Sequence, residues 1–166
     1  MKKTIITIIA LVFSVSCFAQ KHELQFPFQA GKEKMTRFFK DSIKISDIIT
    51  KKKLTGVVMV KFTADEKGAV QKIVVYYADD ANLVPAVVDA VKKSNNKWVI
   101  PSGEKTHDFV MPFYIRFNLP EIDDPALQKA TYQNYKNKRA IFPNNQIPLD
   151  VATLLPSVTI SYDVMM

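Results

Sequence analysis

Three stretches of the chain alternate apolar and polar residues at the period of a β-strand. In 57–64, Val58, Val60 and Phe62 share one face, while Met59, Lys61 and Thr63 share the other. In 109–119, Phe109, Met111, Phe113, Ile115, Phe117 and Leu119 fall on one side and Val110, Tyr114, Arg116 and Asn118 on the other. In 157–164, Val158, Ile160, Tyr162 and Val164 alternate with Ser157, Thr159, Ser161 and Asp163. A fourth run, 69–77, is β-rich through Val70, Ile73, Val74, Val75 and Tyr76. The polar turn Asp65-Glu66-Lys67-Gly68 joins it to the first run, with Gly where positive φ is required, so the two are predicted to form a hairpin. Pro112 lacks the donor that a doubly paired strand needs, and it predicts an edge position for 109–119.

Other segments carry a helical period. Met35, Phe38 and Phe39 mark a short amphipathic helix over 32–41, and Ile48 and Ile49 a second over 46–53, with Ser46 as N-cap and lysines in its last turn. Leu83, Val87, Ala90 and Val91 predict a helix over 83–94; Asp79-Asp80-Ala81-Asn82 offers its cap, and Pro85 fits its first turn. A further helix is predicted over 123–138, capped by Asp123 or Asp124 with Pro125 in the first turn, and 142–156 reads as irregular. The order helix, strand, turn, strand, helix, strand predicts an α+β two-layer sandwich: one antiparallel sheet with helices on one face.

The first nineteen residues stand apart. Lys2 and Lys3 precede the apolar run 5–13, and Cys17-Phe18-Ala19 precedes Gln20, which is the layout of a secretory signal peptide cleaved after Ala19. The apolar stretch is shorter than the roughly 20 residues that cross a bilayer. Lipidation at Cys17 is the minor alternative, because Ser14-Val15-Ser16 lacks the usual Leu. The expected organisation is a signal peptide at 1–19, a basic helical arm at 20–53, a core at 54–119 and a C-terminal extension at 120–166. Among 23 basic and 16 acidic residues, nine basic and four acidic fall in 20–53, and twelve of each sign follow. The excess therefore sits in the arm, where Lys51, Lys52 and Lys53 are candidates for contact with an anionic envelope surface.

At this point 28–119 resembles the C-terminal domain of TonB-family proteins. The residues that carry the resemblance are Gly56-Val-Val-Met-Val-Lys-Phe62, then Asp65 to Gly68 with Val70, then Leu83 to Val91. Lys97-Trp98 with Pro101 and Met111-Pro112-Phe113-Tyr114-Ile115-Arg116-Phe117 complete the series. Two features depart from the family: Ile45-Ser46 stands where Tyr-Pro is common, and no proline-rich stalk follows residue 20. The resemblance implies the two-layer fold and a habit of binding an extended peptide along the last strand. It points to Phe109, Met111, Phe113, Tyr114, Ile115, Arg116 and Phe117 as the partner-binding edge.

Catalytic vocabulary is thin. His22 and His107 read as solvated loop imidazoles, and the pairs Asp65-Glu66, Asp79-Asp80 and Asp123-Asp124 sit where turns and caps want acids. There is no Gly-x-Ser-x-Gly, and the single Cys precedes the cleavage site. Trp98 reads as a core residue of the loop after the helix. The expectation is a non-enzymatic, cofactor-free module in the periplasm or at the outer membrane, binding a protein or peptide by β-strand addition. Nucleic acid is not an expected partner of an exported chain. The alternative is an energy transducer for transport through outer-membrane transporters, held by an uncleaved N-terminal anchor.

Overall fold

The computed structural model describes residues 26–118, 125–142 and 151–163. The segment 1–19 expected to be a signal peptide, His22, the expected caps Asp123 and Asp124, and the expected strand residues Leu119 and Val164 lie outside them. The helices are α1 (Gly31–Ser42), α2 (Asp47–Lys51), α3 (Val84–Lys93) and α4 (Pro125–Lys136). The strands are β1 (Gly56–Asp65), β2 (Val70–Ala78), β3 (Thr106–Phe117), β4 (Thr153–Leu154) and β5 (Val158–Tyr162). The fold is α+β with one five-stranded sheet.

The hairpin forms as the alternation dictates. β1 and β2 pair antiparallel with Phe62 opposite Ile73, and Asp65 builds the turn by accepting from the Lys67 and Ala69 amides at 2.9 Å each. Gly68 sits at φ 76°, and a Cβ there would lie 2.4 Å from the Trp98 carbonyl oxygen, so both its backbone and its surroundings exclude a side chain. β1 also pairs antiparallel with β3, placing Phe62 opposite Phe109 and Val58 opposite Phe113. β4 and β5 then pair in parallel with β3, one after the other on its second side. The sheet is therefore mixed rather than purely antiparallel.

Helix caps follow the sequence in position more than in detail. Asp80 accepts from the Asn82 amide at 2.8 Å and opens a 3-10 turn (Ala81–Leu83) from which α3 continues, with Pro85 in its first turn. Ser46 occupies the N-cap of α2, but its side chain makes no capping bond; its carbonyl accepts from the Thr50 amide instead.

The core lies between the sheet and the first three helices. Met35 and Phe39 of α1, Ile49 of α2, and Val87 and Val91 of α3 belong to one buried cluster with Val58, Val60, Phe62, Met111 and Phe113. Trp98 is at its centre, with ring centroids 4.6 Å from Phe62, 5.1 Å from Phe28 and 5.3 Å from Phe109. Its indole N–H donates to Ser94 Oγ at 2.9 Å, so the one polar atom of the ring is satisfied inside the core. The arm is drawn into the same core: Phe28 pairs with Trp98 as an isolated bridge, and the Val99 amide donates to the Pro27 carbonyl at 2.8 Å. Val158, Ile160 and Tyr162 of the extension join the cluster as well. Among the described residues, the arm from Phe28, the core and the tail strand are thus one packing unit.

Phe62 has no exposed surface. Phe62→Ala is expected to cost about 3–5 kcal/mol in equilibrium denaturation, as other large-to-small changes in closed cores do. A loss below about 1 kcal/mol, the scale of surface substitutions, would contradict this β1 register.

Candidate functional site

The outer side of β3, expected to be an open edge, is occupied. Residues 113–117 pair one for one with Val158–Tyr162, and 109–110 pair with Thr153–Leu154. Phe109, Met111, Phe113, Ile115 and Phe117 point into the core and are buried, while Tyr114, 44% exposed, and Arg116 face outward. The segment expected to present a partner-binding edge is in fact an inner strand.

Pro112 fits this position for a local reason. The Leu155 amide donates to the Val110 carbonyl at 2.8 Å, so Val110 turns its backbone toward the tail. Backbone direction alternates along a strand, and Pro112 therefore faces the same side. Opposite it the tail is interrupted: Met111 and Pro112 face the three residues 155–157, which lie between β4 and β5. The missing donor falls where no ladder bond is made, so proline is tolerated without an edge.

Side chains fix the tail along its length. His107, expected in a solvated loop, lies in β3 and is 7% exposed. Its Nδ1 is hydrogen-bonded to Glu104 Oε2 at 2.6 Å and its Nε2 to Thr153 Oγ1 at 2.7 Å. Carboxylate, imidazole and hydroxyl stand in the order that activates a nucleophile. Here the hydroxyl belongs to the two-residue β4 and the ring packs edge-on against Phe109, so the chain of bonds ties β4 to the loop before β3. At the far end, the Asn118 amide donates to the Tyr162 carbonyl at 2.8 Å, and Asn118 Nδ2 donates to Asp163 Oδ1 at 2.7 Å. The Tyr162 hydroxyl donates to the Leu54 carbonyl at 2.8 Å, with the Ile49 carbonyl at 3.3 Å. Burying Val158 and Ile160 adds about 1.5–3 kcal/mol each before ordering costs. The tail is a structural strand.

A second polar cluster lies on the sheet face opposite the first three helices. Lys61 is only 6% exposed, and its ammonium contacts Asp108 Oδ2 at 2.8 Å. Thr63 Oγ1 donates to Asp108 Oδ1 at 2.6 Å. Burial pushes the Asp108 carboxyl up, but the hydrogen bonds from Lys61 and Thr63 and the Lys61 charge outweigh it and hold the group below its ordinary range. Asp79 is likewise pushed up by burial and brought below its usual value by the Tyr77 hydroxyl, the Val57 amide and Lys138. These acids are structural anchors: Asp79 accepts from the first turn-out of β1 and Asp108 neutralises a buried cation.

With the β3 edge closed, β2 is the terminal strand on the other side of the sheet. Beside it a cleft of about 480 Å³ runs between β2 and α3, lined by Val70, Gln71, Ile73, Val88, Lys92 and Asn95. A second cleft of the same size crosses the far end of the sheet at Thr55, Val57, Tyr114, Arg116 and Thr159. Lys51 ends α2, with Lys52 and Lys53 in the turn that follows; the first two are exposed and the third is half-buried. Among the described residues no group of three His, Cys, Asp or Glu is placed to hold a metal ion, and no helix is long and apolar enough to cross a membrane.

No family model, curated protein or solved structure matches this chain. The clean alternation of 157–164, a hazard if left unpaired, leads to the expectation that the tail folds back onto an open edge of the sheet, either β3 or the outer strand of the hairpin. It does so on β3; nothing in the pattern fixes that choice of edge or the parallel direction. His107 had a usable signal: the apolar parity Phe109, Met111, Phe113 extends back by two residues onto it.

Burial pushes the Tyr162 hydroxyl up to about 12. That lies above the value of about 10 for an unfolded tyrosine, so its contribution is fully present below about pH 10 and is lost as pH rises through 12. Tyr162→Phe is expected to lose about 1 kcal/mol at pH 8 and to show a shallower decline than the parent between pH 10 and 12. Denaturant melts across that range check it; parallel pH profiles would contradict the buried hydroxyl.

Proposed function

We propose that this chain is an exported, non-enzymatic interaction module of TonB C-terminal-like type. It binds an extended peptide or protein segment of the cell envelope by strand addition. The observation that carries the reading is that the sheet already accepts main-chain pairing from its own chain on both sides, a strand on β3 and a single bridge on β2. Val158–Tyr162 is added to β3 through a continuous ladder, and Ile141 is added to Ala78 on β2, each donating its amide to the other's carbonyl at 2.8 and 3.1 Å. A sheet that accepts extended segments through main-chain pairing has the property that β-augmentation requires. The element order, helix–hairpin–helix–strand, supports the family resemblance, and the tail is the feature that sets this chain apart from it. The lysines of the arm, Lys51 to Lys53 among them, supply attraction to anionic envelope surfaces, an effect that salt screens over about 8 Å.

Strand addition makes a specific demand on a ligand: its backbone amides must be free. Panning a random dodecapeptide library on residues 20–166 is expected to enrich sequences whose binding is lost on N-methylation of alternate backbone amides. Enriched peptides indifferent to that modification, or no enrichment over a blank surface, would overturn the reading.

A further inference from the structure

The two edges of the sheet are not equivalent. The β3 side is filled by a strand with buried side chains, whereas on the β2 side only Ala78, at one end, has a strand partner among the described residues. The direction of the β2 backbone follows from its pairing. The Asp79 amide donates to the Val57 carbonyl, so Val57 faces β2, and by alternation so do Lys61 and Thr63. Their partners Val74 and Lys72 face back toward β1, which leaves the N–H and C=O groups of Ile73 and Val75 directed outward. The neighbouring Val70 amide is taken by Asn95 Oδ1 at 2.8 Å.

Side chains sort to the two faces just as clearly. Ile73 and Val75 lie on the helix side, half-buried, and with Val88 of α3 they give the cleft an apolar wall along the edge. On the opposite face the outermost strand presents exposed Lys72, and Lys92 closes the cleft on the helix side. Lys92 has Asp89 at 3.9 Å, with both side chains two-thirds exposed, a pair too solvated to neutralise it.

We infer that the β2 edge, from Gln71 to Val75, is the docking site for an extended segment that alternates apolar and acidic residues. Its apolar side chains enter the cleft over Ile73 and Val88, and its acidic side chains meet Lys72 across the strand pair. The partner continues the strand addition that Ile141 begins at Ala78. This inference rests on the strand-addition reading above and names the edge and the ligand chemistry.

The test uses residues 20–166 and two labelled octapeptides, one alternating valine with glutamate and one valine with lysine, followed by fluorescence anisotropy. The glutamate peptide is expected to bind at least about tenfold tighter than the lysine peptide, the scale of cross-strand charge complementarity at an interface. Lys72→Glu is expected to reverse that order while leaving the melting temperature unchanged. Ile73→Pro, which removes one outward donor at a position an edge strand tolerates, is expected to abolish binding of both. Equal affinities unaffected by Lys72→Glu would overturn the assignment. If library peptides sensitive to N-methylation bind but Ile73→Pro leaves them untouched, the strand-addition reading stands and this edge is wrong. A concentration-dependent dimer that Ile73→Pro dissolves would give the edge to a second copy of the chain and overturn the peptide assignment.

Discussion

The parallel pairing of Val158–Tyr162 with β3 is the constraint on which the rest of the molecule turns. It converts the strand with the most regular alternation into an inner strand and covers its outward backbone groups. It also fixes the extension to the start of β1 through the Tyr162 hydroxyl and the Leu54 carbonyl. An unpaired strand carrying five apolar residues of one parity would be an aggregation site. The chain solves that problem with its own segment Val158–Tyr162, and among the described residues the shorter, lysine-bearing edge on the other side carries only the Ile141 bridge.

Closing one edge has energetic consequences for the whole fold. The tail shares its apolar cluster with α1 and α2, so the arm cannot loosen without disturbing the tail, nor the tail without exposing Phe117 and Ile115. Trp98 does the same at the opposite end, where it holds Phe28 of the arm against Phe62 and Phe109. Phe28 of the arm and Val158–Tyr162 of the tail are thereby tied into one core, in a chain that has no cysteine after residue 19.

Much of this was legible in the sequence, and the misses have physical causes. Period-two patterns gave β1, β3 and β5 with their buried faces, because a sheet with one covered face imposes that alternation. The hairpin was readable from Asp65 and Gly68, and the α3 cap region from Asp80 and Pro85. Pro112 misled because the donor rule concerns a single N–H, and a three-residue interruption in the neighbour satisfies it as well as an open edge does. His107 misled because polarity outweighed parity; its burial depends on Glu104 and on Thr153, which is 46 residues away. Lys61 falls on the face opposite Val58, Val60 and Phe62 and is nevertheless buried; its charge is matched by Asp108 from the adjacent strand, a pairing visible only once the register is known. The β2 edge left the faintest trace, since its apolar wall joins Ile73 and Val75 of β2 to Val88 of α3, and no single period encodes the packing of one element on the other.

The claim that the tail is a permanent strand is most directly tested by native-state amide exchange on residues 20–166. By the alternation that aims Val110 at Leu155, the Tyr114 and Arg116 amides face the tail, and those of Phe113 and Ile115 face β1. If the tail opens only with global unfolding, all four are protected to within about tenfold of one another. Exchange at Tyr114 and Arg116 faster by about a hundredfold or more would show a tail that detaches from a standing sheet, and would return the β3 edge to partners.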